Sequence, residues 1–283
     1  MSRRRKLEER LVSLEQIRDI MSSLKTLAFL ETQKLGRRAE FQQRVMGSIQ
    51  AASSDFAGHF PVNDWQPECS FRVFIVLGSE RGFCGAYNEA LNTALQTALT
   101  NSSERYAVIA VGEKLVTQLS SVEHTVAIEG ATIAEEVQPV LVKIAAAVTD
   151  LHKKEGGISL SVIYHDIDTQ DVVTRMLFPV IAEKTDYQAR AFAPRLGVKP
   201  EQMFLSLLEE YMFAALLAAC YDALNAENRR RMEHLQGAVD HLNKQCAEIS
   251  LRRNFLRQEE ITEEIEVILL SETPDDTGSM ATQ

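Results

Sequence analysis

Proline is missing from residues 3–56 and again from residues 201–270, and inside those stretches glycine occurs only at Gly36, Gly47 and Gly237. Nothing there breaks a helix, so each stretch is predicted as a single helix, the second extending about 100 Å at ~1.5 Å per residue. Cysteine is sparse. The four, Cys69, Cys84, Cys220 and Cys246, are scattered with no CxxC pair and no histidine at ligand spacing. That pattern excludes a zinc ribbon or a disulfide framework and reads as reduced, buried thiols in a cytoplasmic protein. Positive charge is also short: the 283 residues carry a formal net charge of -10. Nucleic-acid binding draws its affinity from Lys and Arg neutralising phosphates, so a general nucleic-acid binder is excluded. No apolar run reaches the roughly 20 residues that span a bilayer, and the basic-then-acidic start has no apolar signal core, so no export and no direct membrane insertion are expected.

Heptads are present instead. Leu7, Leu11, Leu14, Ile17, Met21, Leu24 and Ala28 recur at spacings of three or four, and Met232, Leu235, Val239, Leu242, Cys246, Ile249 and, past Arg253, Leu256 do the same. Alternating three- and four-residue steps mark the seam of a coiled coil, which needs a partner helix. The economical arrangement pairs the two chain ends as a long antiparallel coiled coil, with the intervening residues inserted as a globular domain. The alternative pairs both helices with those of another chain in a scaffold.

Between the helices the pattern changes. Gly58, Pro61, Asn63, Asp64 and Pro67 form a breaker-rich linker in which Trp65 is placed as an anchor. Phe71–Leu77 then reads as a buried strand, followed by a polar turn and an amphipathic helix over Asn88–Leu99. The alternation repeats with a strand over Tyr106–Val111, helices over Glu113–Leu119 and Ile133–His152, a strand over Ile158–His165, and another over Val172–Phe178. Strands alternating with helices predict a parallel, doubly wound, Rossmann-like sheet. The α/β fold class thus divides into an N-terminal coiled-coil helix at 1–58, a linker at 59–69, an α/β domain at 70–198, a C-terminal coiled-coil helix at 199–270 and a polar tail at 271–283. Pro194, Gly197 and Pro200 close the α/β domain.

Candidate chemistry is thin. Gly78, Gly82 and Gly85 lie between a strand and a helix, where a dinucleotide turn would be, but the spacing is G-x3-G-x2-G and misses the fingerprint by one residue. No GxxxxGK[ST] occurs. Cys84, near Arg81 and a helix start, has two readings: a thiol with lowered pKa, or a small residue filling a tight turn. Asp166, Asp168 and Asp171 follow a strand but lack the glycine and final glutamate of a calcium loop, so they read as a solvated acidic turn. The basic clusters at Arg3–Lys6, Arg229–Arg231 and Arg252, Arg253 and Arg257 suit either solvated coiled-coil flanks or contact with acidic protein loops. No cofactor, metal or catalytic residue is expected.

Three separated segments resemble the gamma subunit of F-type ATP synthases. RRRKLEERLVSLEQIRDIMSSLKTLA is similar to that family's opening helix, with Arg5, Ile17 and Met21 on its pattern. GSERGFCGAYN resembles its signature turn through Arg81, Gly82, Cys84, Gly85 and Asn88. Glu227, Arg231 and Met232, with NFLRQEEITEEI carrying Asn254, Arg257, Gln258, Ile261 and Thr262, resemble its C-terminal helix. The resemblance runs from about Ser2 to Leu270.

It implies a non-catalytic rotor shaft inside a ring of alternating alpha and beta subunits, with the α/β domain meeting the epsilon-type subunit and the membrane c-ring. Arg257, Gln258 and Thr262 would then meet a catch loop of the catalytic subunits, and Met21 their acidic lever region. The implied location is peripheral, on the cytoplasmic face of a bacterial membrane. Ala28 stands where the family carries a lysine, Phe255 and Leu256 replace a more basic stretch, and the tail SETPDDTGSMATQ is long. These departures suggest a divergent branch, of which the often sodium-translocating bacterial N-ATPase form is one candidate. No regulatory cysteine pair interrupts the α/β domain, which disfavours the redox-controlled chloroplast form. The competing readings are a cytoplasmic coiled-coil scaffold with an α/β partner-recognition head and a nucleotide-dependent enzyme.

Overall fold

The computed structural model describes residues 3–60, 69–100, 104–179, 192–193 and 195–271. The core of the linker with Trp65, Pro194, and the tail beyond Ser271 lie outside the described residues. The elements run α1 (Arg3–Ala57), β1 (Phe71–Leu77), α2 (Tyr87–Thr100), β2 (Arg105–Val111), α3 (Glu113–Gln118), β3 (Thr125–Ile128), a 3-10 turn (Ala134–Glu136), α4 (Val137–Glu155), β4 (Ile158–His165), β5 (Val172–Phe178) and α5 (Pro200–Ser271). With 55 and 72 residues, α1 and α5 fill the two proline-free stretches. Two compact units result, one from residues 3–25 and 235–271, the other Thr26–His234.

In the first unit α1 and α5 pair antiparallel. Arg4 Nε lies 3.0 Å from Glu260 Oε2, and Lys25 Nζ donates to Gln236 Oε1 at 2.8 Å. Leu11, Leu235, Val239, Leu242 and Cys246 are buried along the seam. Ile17 departs from the expected stripe, being 43% exposed. The strict heptad steps by four from Leu14, so it reaches Arg18, and Ile17 falls on the outer face.

In the second unit the sheet order is β3-β2-β1-β4-β5. β1 pairs parallel with β2 and β4, and β2 parallel with β3. β5 corrects a strictly parallel reading, because it pairs antiparallel with β4. β3, four residues of which three are only partly shielded from water, was not anticipated. Successive strand residues face opposite layers. Val73, Ile75 and Leu77 pack with α4 and with Leu35 and Met46 of α1 and Ala214–Leu217 of α5. Phe74 and Val76 pack instead with Tyr87, Leu91 and Leu95 of α2 and Leu115 of α3. Burial on both faces explains why β1 and β2 read as largely apolar runs. It also explains the apolar part of α5, which is long and apolar enough to cross a membrane by composition. In this fold its Ala214–Leu217 and Ala219–Tyr221 side chains form the core.

Candidate functional site

The turn from β1 to α2 leaves the carboxyl ends of the parallel strands, where open α/β sheets gather their ligands. Its backbone is fixed from three directions. Asn88, one residue into α2, accepts from the Ser79 N–H at 3.0 Å and donates to Ser79 Oγ at 2.8 Å. Glu80 extends across the ends of β2 and β3, where its Oε2 accepts from Gly130 N at 2.7 Å and from Glu113 N at 3.0 Å. From α5, Arg231 donates through Nε to Gly82 O at 3.2 Å and through Nη2 to Arg81 O at 3.3 Å. The same guanidinium donates to Asn228 Oδ1 at 2.9 Å and closes a short ion pair with Glu227.

Glu227 is 3% exposed. Burial pushes its carboxyl up to about 7, opposed by the Arg231 charge and hydrogen bond. Below the turn, Tyr87 donates its hydroxyl to Ala223 O at 2.9 Å, so a second point on α5 is bonded to the start of α2. His165 stacks on Tyr87 with ring centroids 4.1 Å apart, and its Nε2 lies 3.0 Å from Tyr87 O. A carbonyl only accepts, so Nε2 carries the proton, and burial holds the imidazole below its ordinary pKa.

The backbone requires glycine here for local reasons. A Cβ on Gly78 would lie 2.3 Å from Leu115 Cβ. Gly112, with φ +105°, sits in the left-handed region, and a Cβ there would meet Ser79 O at 2.7 Å. These close approaches let α3 start hard against the turn. The crevice that remains, lined by Gly78, Gly130, Val137, Cys220, Leu224 and Glu227, has a volume of about 30 Å³. That holds water and not a nucleotide. The chain's own α5 therefore occupies the place where a dinucleotide fold keeps its ligand.

Cys84 corrects the lowered-pKa reading. Burial first, then the neighbouring Glu227 carboxylate, push its thiol up to about 12 despite Arg231. The acidic turn is self-satisfied: Asp166 Oδ1 accepts from the N–H groups of Asp168 and Thr169 at 3.0 and 2.9 Å. Among the described residues no three His, Cys, Asp or Glu side chains come together at metal-binding distance.

The four anticipated contact residues fall in the first unit. Met21 is half-buried near the seam, while Arg257, Gln258 and Thr262 are exposed on α5. Gln258 and Thr262 share one turn, and Thr262 Oγ1 donates to Gln258 O at 2.9 Å. From the Lys25–Gln236 register, Met21 lies roughly 25 Å along the pair from Arg257, so these are two stations rather than one site. Around them Leu251 is 72% exposed, Phe255 64% and Leu270 75%. Glu80 and Tyr87, inside the recognised turn, were not singled out from the sequence. The Glu227–Arg231 spacing of four on a helix was the legible signal for the clamp.

A family model described as ATP synthase matches residues 3–271. The ATP synthase gamma chain of Ruminococcus albus is 24% identical over 276 residues, covering 94% of this chain and 96% of the relative. That of Clostridium botulinum is 23% identical over 203 residues, covering 70% and 71%. Among solved structures, a chain of the Euglena gracilis mitochondrial ATP synthase, OSCP/F1/c-ring in rotational state 3, aligns with a TM-score of 0.62 at 16% identity, over 99% of this chain and 98% of its own. A chain of the Tetrahymena thermophila mitochondrial ATP synthase central stalk and c-ring aligns with a TM-score of 0.59 at 19% identity, over 77% and 99%. These two share its fold. With paired terminal helices, a turn clamped by Glu227 and Arg231, and a family match over residues 3–271, the chain belongs to the ATP synthase family as a gamma chain.

Proposed function

We propose that this gamma chain turns inside a ring of alpha and beta subunits, with Arg257, Gln258 and Thr262 at one contact station and Met21 at the other. The observation that carries this is the state of α5 beyond Leu251. Phe255, Ile261, Ile265, Val267, Ile268, Leu269 and Leu270 are all exposed, a density of apolar surface that a soluble helix keeps only for a partner that encloses it. Arg257 and Gln258 beside that surface supply donors for acceptor-rich loops.

The mechanism is a coupling of populations. A rotor without threefold symmetry presents a different face to each catalytic subunit, so each angle favours a different conformation, and hence nucleotide affinity, at each site. The chain forms and breaks no covalent bond. Its α/β domain meets an epsilon-type subunit and the membrane ring, which places it peripherally on the cytoplasmic face of a bacterial membrane. The test is affinity purification of the tagged chain from its native membranes, with identification of partners and an ATPase assay. Alpha and beta subunits should co-purify, with ATP-driven ion pumping reduced in an Arg257→Ala, Gln258→Ala variant. A partner-free homodimer paired through Met232–Leu256 would overturn the reading in favour of a scaffold.

A further inference from the structure

The Arg231 clamp is not the only point at which the α/β core meets a terminal helix. Arg38 of α1 reaches three acceptors on two other elements. Its Nη2 donates to Glu135 Oε1 at 2.8 Å, and its Nη1 lies 3.3 Å from Ala134 O and 3.4 Å from Tyr221 Oη of α5. Two turns earlier on the same face of α1, Glu31 Oε2 accepts from the Ala134 N–H at 3.4 Å, and Lys34 Nζ holds the other oxygen of Glu31 at 2.8 Å. The spacing 31, 34, 38 keeps these side chains on one face of the helix. They grip both the N–H and the carbonyl of Ala134, in the 3-10 turn that starts α4.

Beneath this contact Leu35 is fully buried, and Val137 and Leu141 of α4 are 1% exposed. Apolar packing supplies the cohesion there. The ion pair itself is half exposed, with side chains at 42% and 51%, so its Coulomb contribution to stability is small. What it adds is direction. A planar guanidinium offers donors in a rigid fork, which fixes α1 against α4 and α5 in rotation as well as distance; an ammonium on a flexible stem does not.

We propose that Arg38 is a positioning residue for energy coupling: it fixes in rotation the parts of α1 and α5 that pack on the α/β core, so that rotation of the core is delivered to these helices without slack. The proposal rests on the shaft reading above. Its loss should therefore appear as lost coupling and not as lost folding or lost hydrolysis.

The test uses the whole complex reconstituted in liposomes, with ATP hydrolysis and ATP-driven membrane potential read together, the latter by a potential-sensitive dye that is indifferent to the ion carried. For Arg38→Met, hydrolysis should stay within about twofold of wild type while the rate of potential build-up per ATP hydrolysed falls about fivefold. Arg38→Lys, which keeps the charge but not the fork, should recover less than half of that loss. If Arg38→Met does not assemble, Glu135→Ala removes the acceptor of Nη2 and decides the matter through the same ratio. A wild-type ratio in an assembled Arg38→Met or Glu135→Ala complex overturns the proposal and leaves the shaft reading standing. Failure of the wild-type chain to assemble with alpha and beta subunits overturns both.

Discussion

Replacing Arg231 by methionine isolates the Glu227 clamp from the packing around it. The substitution keeps the aliphatic stem but leaves Glu227, 3% exposed, without its cation, and removes the donors to Gly82 O and Arg81 O. Removing one member of a buried pair costs about 3–5 kcal/mol, mostly from stranding the other charge. The pH dependence makes the prediction specific. In the wild type the Glu227 carboxyl is raised from 4.5 to about 7. A carboxyl raised in the folded state favours folding only while protonated, so stability from this group falls as pH climbs from 4.5 and levels off above 7. Without Arg231 the folded value moves higher still, so the variant goes on losing stability above pH 7. The difference between variant and wild type should therefore widen by up to about 1 kcal/mol from pH 7 to pH 8, the wild type itself still losing a little over that interval. Urea unfolding of the full chain at pH 6, 7 and 8 measures this. The double variant Arg231→Met, Glu227→Gln removes the stranded charge and should recover more than half of the loss at pH 8, with no pH dependence left from position 227. A loss below 1 kcal/mol at pH 8, or a double variant no better than the single, would refute the reasoning.

Other perturbations test other parts of the fold. Leu235→Ala opens a cavity at a fully buried seam position and should destabilise the helix pair by about 2–5 kcal/mol in guanidinium unfolding followed by helical circular dichroism. Gly78→Ala drives a methyl into Leu115 and should cost about 1–3 kcal/mol by the same measurement, whereas Gly237→Ala, with open space around its Cα, should raise helix stability by up to about 1 kcal/mol. The Asp222 carboxyl is raised from 3.8 to about 7 by burial and by repulsion from Asp166 and Asp168. Asp222→Asn should thus flatten the fall in stability between pH 4 and 7 and make the chain roughly 2 kcal/mol more stable at pH 8, half the full linkage value because the side chain keeps some water. An unchanged slope in pH-dependent melting would count against it. Cys84 and Cys220, both pushed up to about 12 by burial, should resist thiol reagents at pH 8 until the chain unfolds, while partly exposed Cys69 reacts first.

The parts of the fold legible in the sequence are those where one local pattern decides the outcome. The proline-free stretches marked α1 and α5, the apolar run Phe71–Leu77 marked a buried strand, and the alternation of strands with helices marked β2 and β4. β3 escaped because four residues are too few to establish a period. The direction of β5 was in fact readable: only Asp166–Asp171 separate it from β4, and so short a link permits a hairpin but no crossover. Ile17 was assigned to the seam on its hydrophobicity, although the heptad step passes through Arg18. For the clamp, the sequence displays the Glu227–Arg231 spacing, but nothing local shows that the guanidinium closes on Gly82, 149 residues away. A helix carries its pairing partners at fixed offsets; a tertiary contact has no such offset to read.

The cover of the sheet has a bearing on how the chain is made. One sheet face is completed with β5, at Phe178, but the α5 residues that shield it, Ala214–Leu217 and on to Leu224, come later, and the compact unit ends at His234. At a synthesis rate of about 5–20 residues per second, the 56 residues from 178 to 234 take roughly 3–11 s. During that interval Val73, Ile75 and Leu77 have α4 and α1 beside them but lack the part of their cover that α5 supplies. A ribosome pausing within α5 would prolong the exposure, and a fragment ending before it would carry an aggregation-prone face that the finished protein never displays.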